Sequence, residues 1–308
     1  MIHPQRIDRR SFLAAAAAGL ASSVTHQDQR PQAQSQAQTP TRTAPTPDHV
    51  PATRPRLAHL GLQAGILRAA LTRDLDGTLA QIAAIGYTEI ELQWYGGNFG
   101  RTPEQLRAAL DRTRLRATSA LIHTGAICVG WERHLAAARV LGVEFLSVVN
   151  FSEDERQSLD DWLEWADRFN IAGAVARKAG IWLALHNEPP FMTPVNGRIP
   201  YDAFIARTDP ETVALELDVG NMTRAGHDPV AYLQRHAPRY RLFHLKDVPA
   251  EGQDGDRPLG KGRVDFQRIL AAVPQPDDTH FFVEHAVDPA APLDSVRTSY
   301  DHLARLQH

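Results

Sequence analysis

From Leu60 onward, short apolar runs alternate with stretches of helical spacing, eight of each, and this alternation sets what the chain can fold into. The runs are Leu60–Gln63, Tyr87–Leu92, Leu115–Ile122, Val143–Asn150, Ile181–Leu185, Val213–Asp218, Tyr240–His244 and His280–Glu284. Val213–Asp218 and Tyr240–His244 show it best, as short apolar runs of the kind that strands buried on both faces make. Between them lie predicted helices at Leu75–Ile85, from Thr102-Pro103, at Glu132–Leu141, Ser158–Lys178, Tyr201–Arg207, Asp228–His236, Asp265–Ala272 and Leu293–Leu306. Their starts and stops carry the usual chemistry, such as Thr102 before Pro103 and the glycines Gly86 and Gly180 after a last turn. Eight strand–helix units predict an α/β fold, a single closed (β/α)8 barrel. A doubly wound open sheet is the competing layout, and no glycine-rich phosphate turn follows the first strand to support it.

The chain of 308 residues is longer than such a barrel needs. Arg9-Arg10-Ser11-Phe12-Leu13 runs into Ala14–Ala18, Gly19, Leu20 and Ala21, which reads as a twin-arginine export signal over residues 1–25. Its apolar run is too short for a stable membrane anchor. Residues 26–56 are rich in Gln, Pro and Thr and read as a disordered linker. The barrel is expected over 57–308, in a periplasmic or secreted protein. Net charge is −3, which gives no electrostatic footprint for nucleic acid. The single cysteine, Cys128, excludes an intrachain disulfide and any thiolate metal cluster.

In a barrel of this kind, chemistry sits where the strands end. The runs end in Gln63, Glu91, His123, Asn150, His186 with Glu188, Asp218, His244 with Lys246, and Glu284. Alternate strand residues share a face, so His186 and Glu188 point together, as do Glu216 and Asp218, and His244 and Lys246. Asp218, His244 and Glu284 come from three consecutive strands about 4.8 Å apart, close enough to converge on one ion. A strand-five residue closes the set. Mixed imidazole and carboxylate donors suit one divalent cation (Mn, Zn, Co, Fe or Mg) at a catalytic site.

The segments Gly61-Leu62-Gln63, Ile85-Gly86-Tyr87, Leu185-His186-Asn187, Glu216-Leu217-Asp218-Val219-Gly220, Gly226-His227-Asp228-Pro229, His244-Leu245-Lys246-Asp247, Gly260-Lys261-Gly262 and Val283-Glu284-His285 together resemble the xylose-isomerase-like sugar isomerase/epimerase superfamily. The resemblance covers Leu57 to Leu306. It implies an ion held by a strand-five carboxylate, Asp218, His244 and Glu284. Strand five departs from the pattern. His186 stands where relatives place a ligating Glu, and Glu188 lies two residues on, on the same face. Either can be the fourth ligand; a second carboxylate balances the ion's charge better, which favours Glu188.

The chemistry implied is proton removal beside the carbonyl of a sugar or keto-sugar, through an enediolate. Glu284, Glu188 and Glu91 are then the candidate acid–base residues, with Lys246 stabilising the oxyanion. His123, His186, Trp94 and Tyr95 are candidates for binding the sugar, and the Gly260–Gly262 loop resembles one that closes over the site. Isomerisation, epimerisation and elimination share that step. A non-catalytic carbohydrate-binding barrel is the alternative, supported by the strand-five departure. A DNA-repair endonuclease of the same superfamily is disfavoured by the acidic balance and the export signal. Sequence leaves the oligomeric state open.

Overall fold

The structure, a computed structural model, describes residues 57–94 and 97–306. The expected export signal (1–25), the linker (26–56) and Tyr95 lie outside the described residues.

Eight parallel strands close into a barrel in chain order: β1 Leu60–Gln63, β2 Glu89–Gln93, β3 Arg116–Ile122, β4 Phe145–Val148, β5 Trp182–His186, β6 Val213–Asp218, β7 Tyr240–Leu245 and β8 His280–Val283, which pairs back onto β1. The outer ring is α1 Leu75–Ile85, α2 Pro103–Thr113, α3 Trp131–Leu141, α4 Leu159–Lys178, α5 Pro200–Arg207, α6 Pro229–His236, α7 Phe266–Ala271 and α8 Pro292–Arg305. The predicted alternation and closure are therefore what the chain adopts. Thr102 and Ser158 head capping boxes with Gln105 and Asp161, so α2 and α4 start where their hydroxyl residues say.

Strand four is shorter than the expected Val143–Asn150. Gly142, with φ of 76°, closes α3, and the Val143 N–H bonds back to the Ala138 carbonyl. Asn150, with φ of 60°, turns the chain away at the other end. Short helices at Arg68–Arg73, Thr124–Cys128 and Val219–Arg224 lie in the βα connections and carry no clear periodic signal of their own.

Two register shifts matter for the interior. Between β2 and β3 the pairing steps from Ile90↔Ala117 to Glu91↔Ser119, leaving Thr118 as an extra residue. Both Thr118 and Ser119 can then face inward, where their hydroxyls donate to Glu89 and Glu91 at 2.9 and 2.7 Å. A second shift between β6 and β7 lies beside Glu216.

Most apolar burial lies between strands and helices, but the lumen holds its own plug of Phe145, Ala184, Ala214, Leu242 and Phe282. Small alanines on β5 and β6 leave room for the two phenylalanines. Gly61 does the same on β1, where a Cβ would stand 2.6 Å from the Phe282 ring. The plug leaves polar side chains at both ends of the barrel.

Candidate metal centre and substrate cavity

Above the plug, His186, Asp218, His244 and Glu284 converge from the ends of β5, β6, β7 and just beyond β8. One ligand atom from each lies within 4.8 Å of all the others. His186 Nε2 is 3.4 Å from Asp218 Oδ2 and 3.3 Å from His244 Nδ1, and His244 Nδ1 is 2.8 Å from Glu284 Oε2. Donors bound at about 2.1 Å to one ion stand roughly 3–3.5 Å from their neighbours, so these separations suit a single cation.

Asp218 uses its two oxygens differently. Oδ1 accepts from the Asn221 N–H at 2.7 Å, capping the helix Val219–Arg224. Oδ2 is buried, accepts no well-formed hydrogen bond and points into the cluster. Asn187 fixes the strand end by accepting from the Asp218 N–H at 2.9 Å and donating to its carbonyl at 3.1 Å. Lys246 Nζ lies 2.9 Å from both Asp218 Oδ2 and Glu284 Oε2. Burial pushes the Asp218 carboxyl up, but the Lys246 ammonium and His186 outweigh it and hold the group at about 2. Burial likewise pushes Lys246 down, and the two carboxylates more than reverse this, keeping it an ammonium.

His244 bridges two layers. Its Nε2 is 2.5 Å from Glu91 Oε2 and 3.2 Å from Glu216 Oε1, so this nitrogen carries the proton and Nδ1 faces the cluster. Ser147 Oγ donates to Glu216 Oε2 at 2.6 Å. Burial and the neighbouring Glu216 push the Glu91 carboxyl up to about 7. Glu91 is wholly enclosed behind the imidazole. Glu91 is expected among the acid–base residues, and in this placement its carboxylate contacts His244 and Ser119.

The two strand-five candidates, His186 and Glu188, are placed differently. Among the described residues, His186 joins the convergent group, whereas Glu188 stands off at 3.7 Å from the other nitrogen, His186 Nδ1. Glu188 accepts from the Asn221 side-chain amide at 3.1 Å, and burial raises its carboxyl above the ordinary range. His123 is exposed at the end of β3, and Trp94 is half-buried against the core with its ring tilted over His134. Neither touches the convergent group.

A cavity of about 570 Å³ opens beside Glu284, lined by Gln63, Arg68, Gln93, Asp256 and His285 among others. Its size suits a small polar ligand. Gln93 and Arg68 are hydrogen-bonded to each other across it. Gln93 escaped the sequence reading, although it lies two residues past Glu91 and parity puts it inward; Arg68 and Asp256 sit on connections with no periodic signal. The Gly260–Gly262 loop is tied down by Asp247, whose Oδ2 accepts from the Gly260 and Gly262 N–H groups at 2.9 and 2.7 Å. A Cβ at Gly262 would lie 2.3 Å from the Asp247 carboxylate, so the loop needs glycine there.

The donor set fits a divalent cation on charge as well as distance. Five carboxylates, Glu91, Glu188, Glu216, Asp218 and Glu284, face one ammonium, Lys246, and two imidazoles, His186 and His244, whose basicity, despite burial, the neighbouring carboxylates raise. A divalent cation in place of the imidazole protons would balance such a group.

The fold and this rim define a class: α/β barrels that gather imidazoles and carboxylates at the carboxyl ends of the strands from β5 to β8. The chain belongs to the xylose isomerase-like TIM barrel family, whose profile matches residues 79–306. It is 23% identical over 252 residues to an inosose dehydratase of Lacticaseibacillus casei, covering 70% of this chain and 83% of that protein. A sugar phosphate isomerase/epimerase from Parabacteroides distasonis shares the fold at a TM-score of 0.67 and 23% identity, covering 80% of this chain and 96% of that one. So does the 3-keto-D-glucoside 4-epimerase YcjR of E. coli, at a TM-score of 0.62 and 18% identity, over 80% and 98% of the two chains.

Proposed function

We propose that this protein is a divalent-metal-dependent isomerase, epimerase or related lyase that removes a proton from carbon beside the carbonyl of a sugar or keto-sugar. The observation that carries the reading is the convergence of His186, Asp218, His244 and Glu284 beside a cavity of about 570 Å³. The activities of the relatives, an inosose dehydratase and a 3-keto-D-glucoside 4-epimerase among them, support the chemistry.

His186, Asp218, His244 and Glu284 would hold the cation, with His186 in the strand-five place in preference to Glu188. When bound, the cation supplies Lewis-acid polarisation of a carbonyl and its neighbouring hydroxyl. Glu188, half-buried beside the group with its carboxyl pushed up, takes and returns the proton. Glu284, which lines the cavity, is the second candidate acid–base carboxylate. Lys246 donates to oxygen on which negative charge develops. Gln63, Gln93 and Arg68 bind sugar hydroxyls along the cavity wall, and His123 and Trp94 belong to the outer rim where a longer substrate would extend. Glu91 orients His244. The twin-arginine-like N-terminal segment would direct the protein to the periplasm or outside the cell, which favours an unphosphorylated substrate.

The test is solvent-proton exchange. Incubated in D₂O with a panel of keto-sugars and aldoses, the metal-loaded protein exchanges the C–H next to the carbonyl of at least one of them, and Glu188→Gln lowers that rate by a factor of about 10²–10⁴. Binding of the same sugars with no exchange above the buffer rate would instead support a carbohydrate-binding barrel.

A further inference from the structure

The opposite end of the barrel carries a second constellation that the rim chemistry does not use. We propose that His59, Glu89 and His280 form a separate site for a Zn²⁺-type cation at the base of the barrel. The three residues come from adjacent strands in the order β8, β1, β2: His280 opens β8, Glu89 opens β2, and His59 immediately precedes β1. His280 and Glu89 share the inward column with Phe282 and Glu91, and His59 shares it with Gly61. Their ligand atoms lie within 4.8 Å of one another.

His59 Nδ1 is 3.2 Å from Glu89 Oε1, and His280 Nδ1 is 2.7 Å from Glu89 Oε2. The two imidazoles face each other at 4.9 Å between ring centroids. Tetrahedral donors at about 2.1 Å from zinc sit roughly 3.4 Å apart, so the set needs only small side-chain shifts to close on an ion. Glu89 is 1% exposed, and its Oε1 accepts no hydrogen bond. A buried carboxylate oxygen aimed at an imidazole and left without a donor is what a cation would complete.

The surroundings orient the donors. Thr118 Oγ1 donates to Glu89 Oε2 at 2.9 Å, Phe145 packs edge-on to the His280 ring at 5.4 Å, and the His59 carbonyl is held by the Phe281 N–H at 3.0 Å. Arg116 approaches Glu89 Oε1 at 3.7 Å, but it is half-exposed and has a closer partner in Glu144 at 2.7 Å, so it leaves the imidazole side open. A cavity of about 710 Å³, with His59, Trp182, Arg241 and His280 in its wall, gives access from solvent. Two imidazoles and one carboxylate would hold the ion through three donors, leaving room for water or an exchangeable anion as a fourth. The Phe145/Phe282 plug separates the base from the rim, so the two sites should fill independently.

Zinc titration of the full chain by calorimetry, paired with visible absorption of the Co²⁺ form, tests this. The native chain should bind two equivalents, and Asp218→Ala/His244→Ala should retain one, with the intense Co²⁺ absorption of a tetrahedral N/O site. His59→Ala, a change at a partly exposed side chain that should not disturb folding, should by itself reduce the native chain to one equivalent or weaken the second at least tenfold; His280→Asn should do the same. An Asp218→Ala/His244→Ala chain that binds no zinc, or one whose remaining equivalent survives both His59→Ala and His280→Asn, would overturn the proposal.

Discussion

Asp218 shows how one residue serves structure and chemistry together. Oδ1 caps a helix while Oδ2 reaches into the cluster, so the Asx-type turn and the proposed ligand role use the two oxygens of one side chain. Glu91 is the clearest case of a residue acting through another. With His244 Nε2 at 2.5 Å, it fixes which imidazole nitrogen faces the rim. Glu91→Gln keeps size but loses the charge-assisted bond. Cation affinity at the rim is expected to fall about 10- to 100-fold, measured by calorimetry, with little change in melting temperature. His285 supplies a pH signature. Burial depresses its basicity; Nδ1 is 2.9 Å from the Ala286 carbonyl and Nε2 is 3.0 Å from Ser299 Oγ. Since its folded pKa lies below the unfolded 6.5, the unfolded chain binds more protons as pH drops through that region. Stability should therefore decline as pH falls below about 6.5. Urea midpoints at pH 7.5 and 5.5 should differ less in His285→Asn than in the native chain.

At the scale of elements, Asp247 ties the last turn of β7 to the loop at Gly260–Val264 through three backbone N–H groups. Asp247→Ala should cost about 2–4 kcal/mol and increase amide exchange across residues 260–264, read by hydrogen–deuterium exchange. Phe282 fills the lumen with no exposure, and Phe282→Ala is expected to cost about 3–5 kcal/mol in chemical denaturation. Strand order and the rim positions of Asp218, His244 and Glu284 were legible because period-two alternation and strand ends are local signals. Depth inside the barrel was not. Glu91 and Glu284 both read as rim carboxylates, yet the stagger of the strands and the extra residue at Thr118 put Glu91 behind His244. The choice between His186 and Glu188 is equally non-local. Parity puts both on one face, and only the approach of β6 and β7 shows which one meets Asp218 and His244.

Over the whole molecule, the barrel is a wall around a short apolar plug with ionisable groups gathered at either end. Closure in strict chain order brings residues from distant parts of the sequence together without a long loop, as with Glu91 and His244 or His59 and His280. The family relation covers residues 79–306, which hold β2 to β8 and every residue of the convergent group at the rim. The central claim is that four side chains from β5 to β8 hold one catalytic cation. Its most direct measurement is metal content per chain by plasma mass spectrometry, comparing the native protein with Asp218→Ala/His244→Ala after identical metal loading and dialysis. The account predicts that the double variant loses one equivalent per chain while its circular dichroism stays native; equal metal in the two proteins would contradict it.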